Sequence, residues 1–64
     1  MPEKWTGELV GKMHLYGVRQ ADLAKVAGVT RAYVSMILAG KRTPAGGREK
    51  LEDAFARCIG EVEA

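Results

Sequence analysis

The side chains able to do covalent or acid–base chemistry are few and scattered. His14 is the only histidine and Cys58 the only cysteine in the 64 residues, so a metal centre needing three or four ligands has no ligand set. Ser35 has no histidine near it in sequence to serve as its base, which leaves a plain hydroxyl. Paired carboxylates, glycine-rich phosphate loops and the nucleophile elbow are all missing from the sequence. No enzyme activity, cofactor, metal or small-molecule substrate is therefore expected. The chemistry that the sequence does carry is electrostatic. Between Leu9 and Arg48, seven basic residues (Lys12, Arg19, Lys25, Arg31, Lys41, Arg42 and Arg48) stand against Asp22 alone, a net of +6 in a chain whose total is +2. Both flanks are acidic, the 49–64 stretch most of all, and such asymmetry points to a polyanion met on one face.

The scaffold holding that face must be small. A chain of 64 residues has room for one core and buries only about 60% of its unfolded surface, so a single domain over 1–64 is expected. Hydrophobic residues make up 47% and charged residues 28%, a globular balance rather than a disordered one. Eight glycines, two prolines and 6% aromatics call for short elements and no large cleft. A lone cysteine, the lack of a run of about 18 apolar residues and a start without an apolar core favour a reduced, cytoplasmic protein and no membrane partner.

Helix signals punctuate the chain, and no segment alternates with the period of a strand. A first helix is expected over about 7–16, with Thr6 as its N-cap, Trp5 stapled on Val10, and Leu9, Val10, Met13 and Tyr16 as its stripe. A second, over 20–27, places Leu23, Ala24 and Ala27 on one face and stops at Gly28. Thr30 caps a third, over about 31–39, with Val29 set against Val34 and a buried stripe of Val34, Ile37 and Leu38. Residues 41–47 read as a loop around Pro44 and Gly46-Gly47. From Arg48, the spacing of Leu51, Ala54, Phe55, Cys58, Ile59 and Val62 gives a fourth amphipathic helix.

Two short helices joined by a tight glycine turn, with small alanines on their facing sides, pack as a crossed pair, the helix-turn-helix geometry. The residues from Gln20 to Pro44, Gln-Ala-Asp-Leu-Ala-Lys-Val-Ala-Gly-Val-Thr-Arg-Ala-Tyr-Val-Ser-Met-Ile-Leu-Ala-Gly-Lys-Arg-Thr-Pro, resemble the Cro and phage-repressor (Xre-type) family. The likeness is close over 20–44 and loose over 9–59. It implies an all-α, lambda-repressor-like domain of four helices, to which many relatives add a fifth that serves dimerisation. It also implies that helix three lies in the major groove of double-stranded DNA while the start of helix two and the loop after helix three hold phosphates. Arg19 stands where the family usually has a capping Ser or Thr, with Asp22 still placed to accept from its amide and its side chain free for a phosphate. The 45–47 loop is about two residues longer than the family's.

The DNA-binding residues implied are Arg19, Gln20, Thr30, Arg31, Ala32, Tyr33, Ser35, Met36, Lys41 and Arg42. Arg31, Ala32, Ser35 and Met36 form the exposed early face of helix three. Arg31 alone among them can bridge guanine O6 and N7, and Ala32 and Met36 suit thymine methyls. Tyr33 divides evenly between packing and a phosphate contact. His14 reads as a surface side chain and Cys58 as core. The function implied is that of a sequence-specific transcriptional regulator resembling small phage or mobile-element repressors, working as a homodimer. The alternative is a protein-interaction module on the same scaffold, such as an antitoxin or adaptor subunit, supported by an exposed Met36 and by the scarcity of base-reading side chains.

Overall fold

The computed structural model describes residues 4–60. Four helices follow one another: α1 (Lys4–Tyr16), α2 (Gln20–Ala27), α3 (Arg31–Leu38) and α4 (Gly47–Cys58). There is no strand among the described residues. The architecture is all-α, with α2 against both α3 and α4, and α1 against α3.

The largest departure from the sequence pattern is at the start of α1. Thr6 does not cap the helix and Trp5 does not staple it: both lie inside α1 and are buried, Thr6 at 1% and Trp5 at 5% exposure. The cause is tertiary. Trp5, Leu9 and Met13 recur every four residues, with Thr6 beside them, so extending the helix by nearly a turn puts the indole on the same inward stripe. An Arg48 guanidinium then lies 5.7 Å from the centre of the Trp5 ring. Val10 is only half-buried, and Tyr16 is exposed, meeting Phe55 edge-on at 5.9 Å between ring centres.

The middle of the chain follows its local signals. Arg19 is extended at the entry to α2, and its amide donates to Asp22 Oδ2 at 3.1 Å, which supplies half of a capping box. Gly28, at φ 74°, reverses the chain in the left-handed region that a side chain would strain, and the amide of Val29 closes the turn on the Ala24 carbonyl at 3.0 Å. Thr30 caps α3, its hydroxyl accepting from the Tyr33 amide at 3.0 Å. On α4, Leu51, Ala54 and Phe55 are buried while Cys58 and Ile59 are half-buried. The expected end of that stripe, Val62, and the acidic Glu61 and Glu63 lie outside the described residues.

Leu23, Val34, Ile37 and Leu51 are wholly buried, one from each of α2 and α4 and two from α3. Each side chain of this kind stabilises the fold by about 1.5–3 kcal/mol through the apolar surface it removes from water. Ala24, at 5% exposure, is the small residue that lets the short helices cross closely. The chain then returns through the 41–46 loop to Gly47, which is itself buried. A Cβ there would stand 3.2 Å from Ile37 Cδ1 and 3.4 Å from both Thr43 Cγ2 and the Tyr33 hydroxyl. Because Ile37 is itself wholly buried, Gly47→Ala should lower stability by about 1 kcal/mol, despite alanine's better helix propensity. Urea unfolding followed by helical circular dichroism checks this; an unchanged or higher midpoint would contradict it.

Candidate nucleic-acid interface

Burial of Val34 and Ile37 fixes the rotation of α3 about its axis. At 100° per residue, Arg31, Ser35 and Ala32 then occupy one outward arc, and all three are exposed. Leu38 and Met36 fall at the two edges of that arc, and both are half-buried against the core. The expectation of an outward, exposed Met36 is thus corrected: the side chain is a packing residue at the border of the face, where a flexible thioether fills a gap. One of the two supports for the interaction-module alternative goes with it.

Tyr33 is half-buried on the other side of α3, its hydroxyl facing Gly47 and its ring 6.0 Å from Lys50 Nζ. Thr30 is exposed at the head of α3, with its hydroxyl committed to the cap. At the head of α2, Gln20 is half-buried and the Arg19 side chain is 85% exposed, with Nε 3.6 Å from Asp22 Oδ2. Such an exposed pair is worth little and yields readily to a stronger anion. Lys41 and Arg42 are exposed just beyond α3.

The structure brings Arg19, Gln20 and Arg31 around a single open hollow between the end of α1, the head of α2 and the outer edge of α3. His14 stands on its α1 wall. Sequence alone places that histidine on the surface and no further. The signal lay in the turn at Gly17, which carries α1 directly into Arg19 and Gln20.

The charges of α4 behave differently. Arg48 pairs with Glu52 at 3.3 Å and Arg57 with Asp53 at 2.9 Å, both one helical turn apart. Arg31, Lys41 and Arg42 make no ion pair among the described residues. Unpaired arginine is thus found on and just beyond α3, whereas the two arginines of α4 are both paired. No group of three or more His, Cys, Asp or Glu that could hold a metal occurs among the described residues, and no described helix is long and apolar enough to cross a membrane.

A short capped helix turned outward, crossed behind by a second whose head points to the same side and carrying unpaired cations past its end, defines a helix-turn-helix DNA-binding domain. Residues 15–48, more than half of the chain, match the helix-turn-helix family model, and the chain belongs to that family, of the Cro and phage-repressor (Xre-like) kind. No curated protein and no solved structure gives a significant match. The family is one of DNA-binding regulators.

Cys58 takes no part in this face. Its Sγ lies 3.9 Å from the Asp22 carbonyl, tying α4 to α2, and burial together with the charge of Asp22 raises the thiol above its ordinary pKa. The folded chain keeps that proton to higher pH than the unfolded chain does. Alkylation by iodoacetamide at pH 8 should accordingly run several-fold slower in buffer than in denaturing urea, because the thiolate is the nucleophile. Equal rates would show the thiol to be unperturbed.

Proposed function

We propose that this domain is a sequence-specific transcriptional regulator of the small repressor type carried by phages and mobile elements, with residues 1–64 acting as one DNA-binding unit in the cytoplasm. Its ligand is double-stranded DNA, with α3 in the major groove. The observation that carries this reading is the outward arc of α3, with Arg31 on it and Lys41 and Arg42 beyond it having no ion pair among the described residues. Arg31 is the base-reading side chain, bidentate to one guanine, and Ala32 lies where a thymine methyl fits. Arg19, Gln20, Lys41 and Arg42 hold phosphates and set the register, and Ser35 sits between them on the same arc. Two copies bind a pseudo-palindrome, because one such module buries too little surface to select a site alone.

Selection of bound sequences from a random duplex pool tests the reading directly. The expected product is a pair of inverted half-sites about 34 Å apart, centre to centre, each with one strongly required G·C pair; a single unrepeated site would overturn the dimer. On the selected site, Arg31→Ala should cost about 1–3 kcal/mol and relax the requirement at that one pair, whereas Lys41→Ala should weaken all sequences alike and shallow the salt slope by about one unit. If Arg31→Ala weakens selected and random DNA equally, Arg31 is a phosphate contact and not a reader. Binding that does not weaken as salt rises would instead favour an apolar protein partner.

A further inference from the structure

We propose that His14 is a phosphate-binding side chain of this interface, and that it makes DNA affinity rise as the solution is acidified. The inference rests on the DNA reading above and adds to it a contact from α1, the helix outside the helix-turn-helix pair. His14 is exposed and lines the same hollow as Arg19 and Gln20 of the α2 head and Arg31 of α3.

What faces the imidazole decides how it behaves. Arg19 and Gln20 at the head of α2 and Arg31 of α3 are the charged and polar residues that share the hollow with it, and no carboxylate lines it. Of the two nearest acids in sequence, Glu8 lines a different hollow, and Asp22 is occupied by the Arg19 amide at 3.1 Å and its side chain at 3.6 Å. A phosphate seated between the α1 wall and the α2 head accepts from the imidazolium and so favours the charged ring. Protonation and DNA binding are then linked, each favouring the other. A histidine changes charge between about pH 5 and 8, and His14 is the only one in the chain, so the side-chain response in that range belongs to one residue.

The sign follows. Where DNA raises the proton affinity of His14, the complex binds more protons than the free species, and affinity increases as pH falls. One added cation at the backbone also releases about one further counterion.

The test uses the full chain and a fluorescein-labelled 20-base-pair duplex of mixed sequence, titrated by anisotropy from pH 8 to pH 5.5 at fixed ionic strength. Wild-type affinity should rise on the order of tenfold, with the salt slope steeper by about one unit at the acid end. His14→Gln should stay flat from pH 8 to pH 5.5, and His14→Lys should bind at pH 8 about as the wild type does at pH 5.5. Because His14 is exposed, both variants should keep the wild-type circular dichroism spectrum, which is recorded alongside. A wild type without pH response, or a His14→Gln variant that keeps it, overturns the proposal and leaves the DNA reading standing. Failure of the wild type to bind duplex at every pH overturns both.

Discussion

An eight-residue helix has only two turns with which to declare an inside and an outside, and in α3 that choice rests on Val34 and Ile37. Both are fully buried, beside Leu23 of α2 and Leu51 of α4. Their seating sets the rotation of the helix, and the rotation sets which side chains remain for anything outside the molecule. The Thr30 cap holds the first turn and the Gly28 reversal aims it, but neither would matter if the two apolar side chains could exchange places with the polar ones. The interface is in this sense the complement of the core: Arg31, Ala32 and Ser35 are outward because Val34 and Ile37 cannot be.

Where structure is decided by neighbours in sequence, the sequence was easy to read. The bounds of α2 and the start of α3 follow from Asp22, Gly28 and Thr30, each acting within three or four residues through a hydrogen bond or a backbone preference. Where it is decided across the chain, local signals mislead. Thr6 is a sound cap by its type, yet the burial of Trp5 draws the helix past it. Met36 looks outward on a wheel of the isolated helix, but at the edge of the arc a long side chain lies down on the core. Gly47 reads as one more loop glycine, because the three groups that crowd it come from α3 and the 41–46 loop. The members of the proposed interface are legible one at a time; the hollow that gathers Arg19, Gln20, Arg31 and His14 is not, since it exists only once α1 and α3 have packed.

The arrangement also explains how so small a chain carries a binding face without sacrificing its core. Nearly every large apolar side chain is spent inward, with Leu15, at 77% exposure, the chief exception. On the proposed reading the outward surface of α3 needs no deep pocket, because a duplex supplies the concavity and the protein supplies the ridge. Small residues serve this design twice: Ala24 lets two backbones approach inside, and Ala32 lets the ridge stay narrow outside.

The internal pairing of α4 has a consequence for motion. With Arg48 held by Glu52 and Arg57 by Asp53, that helix presents almost no net charge, while Arg31, Lys41 and Arg42 have no ion pair among the described residues. The charge is therefore lopsided on a body of 33 × 22 × 17 Å, each dimension exceeding the screening length of about 8 Å at physiological salt. Near a duplex, the two ends feel different fields and the protein experiences a torque as well as an attraction. On the proposed reading it turns before it touches, and the fraction of encounters that arrive with α3 foremost exceeds what free tumbling would deliver.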